Sequence, residues 1–271
     1  MTLLSKPAIL RHMKEGTIII DPFIDKNLKT ASYDVMLGEY YFRPQTNVGG
    51  RRVFNPWNAR DVKRVWGDRQ RAKPLKEWLE EQRERDTGAV SGLEGIDPET
   101  HIIMIAPHEM LLCHTQEFIG GRRCVTTEMK ARSSTGRVFL SVCKCAGWGD
   151  VGYFNRWTME VSNSSDEYWM VLPVGYRFAQ IAFYEVEPLE ESYEGDGKYQ
   201  ASGELEELKR SWKPEMMLPA MWKDREAEEA IRLQNERDAE TAIALDLLHH
   251  PVRQSRHGFA PPRRGLMSDS E

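Results

Sequence analysis

Between Thr17 and Val186 the apolar residues of this 271-residue chain fall in short β-rich runs parted by turn formers, and that spacing restricts the fold more than any other feature. The runs are Tyr40 to Phe42, His101 to Ile105, Met110 to His114, Val138 to Val142, Trp157 to Val161, Trp169 to Leu172 and Phe178 to Val186. Pro107, Gly120-Gly121, Gly152 and Pro173-Val174-Gly175 stand between them. Many short strands with regular turns predict a mainly β barrel or sandwich, not a parallel sheet wound with helices. Ahead of them, Ser5-Lys6-Pro7 with Ile9, Leu10 and Met13 at helical spacing predicts a short helix closed by Gly16, then a strand over Thr17 to Ile20.

Two regions break the pattern. From about Pro56 to Pro98, Arg, Lys, Asp and Glu crowd around Trp57, Trp66, Leu75, Trp78 and Leu79, which predicts a charged, partly helical insertion. From Gly203 a helical stretch over Glu204 to Trp212 leads to a long charged segment, Lys223 to Leu248, expected as a solvated helix, and to a Pro/Arg/Gly-rich tail. The expected organisation is one domain over residues 1–202, interrupted at about 56–98, with an extension over 203–271. There is no internal repeat of the kind that builds solenoids or propellers.

A net charge of -5 with 40% apolar residues describes neither a polycation suited to nucleic acid nor an acidic disordered tail, so no nucleic-acid partner is expected. The N-terminal residues lack the apolar run of a signal peptide and no stretch reaches ~18 apolar residues, so a cytoplasmic protein without a membrane partner is expected. Cys113, Cys124, Cys143 and Cys145 are expected as free thiols.

A zinc-dependent base deaminase carries H-x-E and P-C-x-x-C, and neither is present. Cys143-Lys144-Cys145 has the wrong spacing to converge two thiolates, His108-Glu109 with His114 has the wrong gap for a zincin helix, and His249-His250 reads as a helix end. No metal held by the protein is expected. Glu128 to Arg137 differs from these: Arg132 and Arg137 bracket Ser133, Ser134 and Gly136, placing forked cationic donors and hydroxyls around a glycine that lets backbone come close. By composition alone this is either an anion site or an ordinary polar turn.

The residues that follow the box, through Asn163, closely resemble the centre of the dCTP deaminase family within the dCTP deaminase/dUTPase superfamily. There, R-S-S-x-x-R leads into a strand, an alanine, a D-x-G-(aromatic) turn and a strand ending in E-x-x-N. Arg132, Ser133, Ser134, Arg137, Ala146, Asp150, Gly152, Tyr153, Glu160 and Asn163 match in that order. Further out, Ser32-Tyr33-Asp34 with Leu37-Gly38 is similar to S-Y-D-x-x-L-G, Pro107-His108-Glu109 to P-G-E, and Pro173-Val174-Gly175 with Ala179-Gln180 to P-G…(A/G)-Q. Tyr193 and Lys198-Tyr199-Gln200 match the closing segment.

The resemblance implies a dUTPase-like distorted β-barrel and zinc-independent hydrolysis of dCTP to dUTP and ammonia. It makes Glu160 the proton shuttle, raised in pKa by partial burial. It makes Ser133 and Arg137 the groups that position water and stabilise charge, and the Ala146 backbone an orienting contact. Arg132 and Ser134, with Tyr193 and Lys198, would hold the triphosphate and the Mg²⁺ it carries, and Gln200 of the closing segment would bind substrate. Asp150 would meet the 3′-hydroxyl, Tyr153 would pack beneath the deoxyribose, and Thr158 and Met159 would complete the substrate contacts. It also implies a homotrimer with sites shared between subunits. Tyr33, Asp34 and Gly38 read as turn and packing residues, and Trp148, Trp157 and Trp169 as core or interface aromatics.

The chain departs from the family at Gly149 and Val151, which flank Asp150, at Asn155 in a common glycine position, at Trp148 beside the base pocket, and at Ser202 where a glutamine is usual. The base therefore need not be plain cytosine. A dUTPase or bifunctional enzyme is the near alternative, since Asp150 and Tyr153 would serve it, although Arg256 to Ala260 matches only a fragment of the dUTPase arm. A non-catalytic nucleotide-binding regulator on the same fold is the alternative of another class.

Overall fold

The structure, a computed structural model, describes residues 1–46, 50, 52–84, 93–189, 193 and 197–249, the last helix by backbone alone at 225, 227 and 243–249. In chain order the elements are β1 (Thr2–Leu3), α1 (Lys6–Lys14), β2 (Ile18–Asp21), β3 (Tyr33–Met36), β4 (Tyr40–Tyr41), α2 (Ala59–Trp66), β5 (Gln70–Arg71), β6 (Lys73–Pro74) and α3 (Leu75–Glu84). Then come β7 (His101–Ile105), β8 (Met110–Gly121), β9 (Val125–Ala131), α4 (Ser133–Arg137), β10 (Leu140–Val142), β11 (Trp148–Gly149), β12 (Phe154–Asn163), β13 (Met170–Pro173), β14 (Arg177–Glu185), α5 (Leu205–Ser211) and α6 (Arg225–His249).

The strands form antiparallel sheets. One runs β1-β14-β9-β11 with β3 also on β14, a second β10-β12-β8-β2, a third β13-β7-β6, and β4 pairs β5. The mainly β fold predicted from the run lengths is thus the fold present. Its core is filled by alternate residues of these strands, among them Val35, Ile103, Ile105, Leu111, Cys113, Met129, Met159, Val161, Ile181 and Phe183. All four cysteines are free thiols.

β12 shows how the period of two sets up a site. Trp157, Met159, Val161 and Asn163 are buried on the core side, while Thr158, Glu160 and Ser162 take the opposite face and are only partly buried. Across the ladder Thr158 faces His114, Glu160 faces Leu112 and Ser162 faces Met110. That outer face is then roofed by the segments the β pattern left over. Trp66 and Val62 of α2 and Met217 pack on Leu112 and Phe42, while Leu208 of α5 packs on Phe118 and Phe154.

By contacts the first compact unit runs from Met1 to Lys223, so residues 203–223 pack with the strands rather than standing apart. The second unit begins at Asp224, and its described part is α6, whose described side chains from 228 to 242 are exposed. The tail, with Arg256 to Ala260, and His250 lie outside the described residues, as does the side chain of His249. No described helix is long and apolar enough to cross a membrane.

Three local expectations need correction. Gly120-Gly121 is not a turn but the end of β8, where a Cβ on Gly120 would stand 2.0 Å from the Tyr153 carbonyl oxygen, so glycine is required by close backbone approach. The arginine-serine box is neither a plain turn nor the start of a strand: Ser133–Arg137 form α4, and the strand begins only at Leu140. Val138 and Phe139 are about half exposed, with Phe139 at φ 63°. Of the three tryptophans expected as core or interface aromatics, Trp157 is core, and Trp148 and Trp169 are more than half exposed.

Candidate active site

One cavity of about 560 Å³ opens on the outer face of β12. Ala146, Asp150, Tyr153, Thr158, Glu160, Tyr193 and Lys198 all line it, so seven of the thirteen residues expected from sequence meet in one place. They arrive from several elements. Glu160 and Thr158 share one face of β12. Ala146 ends a tight turn in which Cys143 and Lys144 both take positive φ and the Ala146 amide donates to the Cys143 carbonyl at 2.6 Å.

Asp150 and Tyr153 sit on the turn between β11 and β12, closed by the Tyr153 amide donating to the Asp150 carbonyl at 3.0 Å. That turn is tied down by the Gly152 amide on the Gly121 carbonyl at 2.9 Å. The Tyr153 ring meets Trp157 and Tyr193 edge-on, with centroids 5.3 and 5.4 Å apart.

The Glu160 carboxyl is the chemically distinctive group. Its Oε2 is buried and has no hydrogen-bond partner among the described atoms. Burial raises its pKa, against smaller lowering effects from its backbone and the Cys143 thiol. Burial also pushes the Cys143 thiol up to about 12, with the charge of Glu160 adding to the effect, so the thiol stays protonated beside the carboxyl. A carboxyl whose proton affinity is raised by burial is suited to taking and returning protons in one cycle.

The remaining expected residues do not line this cavity. Arg132, Ser133, Ser134 and Arg137 lie at and along α4; Ser133, Ser134 and Arg137 are exposed. The Arg132 guanidinium lies 3.3 Å from Asp34 and donates to the Arg177 carbonyl at 2.9 Å. Met159 and Gln200 need correction as side-chain contacts. Neighbours on a strand face opposite sides, so with Thr158 in the cavity the Met159 side chain must point into the core, where it is fully buried. Gln200 is spent on the fold: its Oε1 accepts from the Phe154 amide at 2.8 Å and its Nε2 donates to the Gly152 carbonyl at 2.9 Å.

The other half of the cavity, contributed by Trp66, Met110, Leu112, Met217, Pro219 and Met221, has no counterpart among the residues expected from sequence; Trp148, expected beside the base pocket, lines it too, with Trp157 and Tyr199. The spacing of Val62 and Trp66, one helical turn apart, marks a buried face of α2, but nothing in it says what that face covers. Beside the cavity a groove of about 460 Å³ shares Lys198, Tyr199 and Pro219 with it and adds Lys63, Lys213 and Lys223.

A family model described as dCTP deaminase-like matches residues 3–186. The chain belongs to the dCTP deaminase-like family. A relative from Methanobrevibacter smithii, named dCTP deaminase, dUMP-forming, is 26% identical over 184 residues, covering 68% of this chain and 80% of its own length. Another of that name, from Nanoarchaeum equitans, is 27% identical over 200 residues, covering 73% and 91%. The solved 2′-deoxycytidine 5′-triphosphate deaminase from Agrobacterium tumefaciens aligns at a TM-score of 0.45 and 16% identity, over 67% of this chain and 47% of that one. The family match takes in the strand that carries Glu160 and stops before Met217, Pro219 and Met221.

His108, which stands where the P-G-E resemblance has glycine, holds a φ of 59°, the left-handed conformation that glycine adopts without strain. Among the described residues no three His, Cys, Asp or Glu side chains converge as metal ligands.

Proposed function

We propose that this chain deaminates dCTP and carries the product on to dUMP. The observation that supports this best is the presence in one cavity of two carboxylates in different settings, the partly buried Glu160 and the exposed Asp150. In the first step Glu160 takes a proton from water as its oxygen attacks C4. It passes that proton to N3, then carries the proton of the new C4 hydroxyl to the exocyclic amine, and the C4–N4 bond breaks to release ammonia, giving dUTP. In the second step Asp150 takes the proton of a second water attacking the α-phosphorus; the bond to the bridging oxygen breaks and pyrophosphate leaves with dUMP. Tyr153 supplies an aromatic floor for the deoxyribose. Lys198 and Tyr193 meet the phosphates, and Mg²⁺ would travel on the triphosphate, with phosphate oxygens and water as its ligands.

Sequence alone favoured dUTP as the end product. The name dUMP-forming carried by both relatives above favours the two-step reading, and Asp150 gives it a chemical means.

Ser133 and Arg137 enter this scheme from a second copy of the chain. They are exposed on α4, next to the exposed apolar Val138 and Phe139, and do not line their own chain's cavity. A homotrimer with shared sites satisfies both facts.

Incubation with dCTP and Mg²⁺, with ammonia, dUTP, dUMP and pyrophosphate resolved over time, tests the reading. Equal ammonia, dUMP and pyrophosphate are expected. Accumulation of dUTP alone would limit the activity to deamination, and no turnover would overturn both steps.

A further inference from the structure

The apolar half of the cavity stands beside Glu160. Leu112 is the cross-strand partner of Glu160, a geometry that puts two Cβ atoms ~5 Å apart on one face. Leu112 is packed in turn by Trp66 and Met217, and Met110, Pro219 and Met221 extend the same wall. The wall is therefore within one side chain of the carboxyl that works at C4.

Cytosine offers it little choice of contact. O2, N3 and the C4 amine are polar, and leaving any of them against hydrocarbon without a partner costs free energy. The C5–C6 edge alone is apolar, and C5 adjoins C4. We infer that the wall formed by Trp66, Met217 and Met221 reads the C5 position, and that the site takes deoxycytidine triphosphates carrying a small carbon substituent at C5.

Two features fit this occupant. Methionine side chains are flexible and polarisable and reshape around added bulk, and three of them, Met110, Met217 and Met221, line the wall. The wall is also built from residues outside the ordinary β pattern: Trp66 comes from the charged insertion, and Met217 and Met221 from beyond the stretch that matches the family. Hydrolysis at C4 of such a base consumes one water and releases one ammonia, as for cytosine, and leaves the C5 substituent in place.

The inference rests on the reading of Glu160 as the group that acts at C4, and binding separates the two. Affinities for dCTP and 5-methyl-dCTP are measured by titration calorimetry on the full chain carrying Glu160→Gln, so that neither nucleotide is consumed. 5-Methyl-dCTP is expected to bind about 10-fold more tightly, in the range one methyl group is worth in an apolar pocket. Adding Met221→Ala, which alters a partly exposed residue, should bring the ratio toward one, and Trp66→Phe, which keeps an aromatic ring but shrinks the wall, should lower it as well.

Equal or weaker binding of the methylated nucleotide, a ratio untouched by both variants, or no binding of either nucleotide would overturn the inference. If 5-methyl-dCTP binds more tightly in the predicted way but the unaltered protein releases no ammonia from it, the deaminase reading fails while the C5 wall stands.

Discussion

The Arg132 guanidinium lies 3.3 Å from an Asp34 carboxylate that is almost wholly buried, and Arg177 reaches the same oxygen at 3.1 Å. Asp34 thus holds the first residue of the arginine-serine box to the edge of the β3–β14 pair, and through it sets where α4 begins. Asp34→Ala leaves two guanidinium groups without their shared partner. Both arginines keep some access to water, so the expected cost is about 1–3 kcal/mol, between the values for exposed and buried pairs. A lowered melting temperature together with a lower kcat/KM for dCTP would be the result; unchanged turnover would mean that α4 does not depend on this anchor.

Glu160→Gln should abolish ammonia release and at the same time stabilise the fold at neutral pH. The buried carboxyl has a pKa raised by desolvation, so ionising it costs folding free energy. That cost is absent below the unfolded-state value and grows as pH rises through the folded one. The amide removes it. Thermal melts at pH 7.5 should place the variant above the unaltered protein, and a variant melting lower would contradict the burial argument.

Glu117 provides a second titration away from the cavity. It is fully buried, its Oε2 accepts from the Met36 amide at 3.0 Å, and burial raises its pKa to about 7. With the folded pKa above the unfolded one, its contribution to stability is complete below the ordinary carboxylate range and is lost as pH rises through about 7. Glu117→Gln keeps an acceptor for Met36. It should therefore gain in melting temperature over the unaltered protein at pH 8 and lose that advantage at pH 5.

Gln200 ties the closing segment to the turn that carries Asp150 and Tyr153. Gln200→Leu leaves the Phe154 amide and the Gly152 carbonyl without these side-chain partners in a buried place, an expected loss of about 2–4 kcal/mol. If Asp150 acts in the second step, its loosening should slow dUMP formation more than ammonia release, so that dUTP accumulates. Parallel loss of both products would point to general unfolding instead.

Mixing two inactive proteins tests the shared site. Glu160→Gln and Arg137→Ala subunits, refolded together, should regain activity, because some cavities would combine an intact Glu160 from one copy with an intact Arg137 from another. No recovery in mixed oligomers would place both groups in one chain.

The order Arg132, Arg137, Ala146, Asp150, Tyr153, Glu160 was legible in the sequence because these residue types stand in the order and spacing of the motif they resemble. The mainly β fold was legible because a strand has a period of two and a turn has its own residues. The same period could have removed Met159, since a neighbour of Thr158 on a strand must face the other way. The other half of the cavity was not legible. Trp66, Met217 and Met221 are ordinary apolar residues on charged segments, and hydrophobic pattern says that such residues are buried without saying against what. Their partner, Leu112, lies 46 residues from one and 105 from another, and only the antiparallel pairing of β8 with β12 brings it beside Glu160. Sequence determined which groups could do the chemistry, and tertiary packing decided what wall they face, because contact across sheets depends on register and layering that no local pattern encodes.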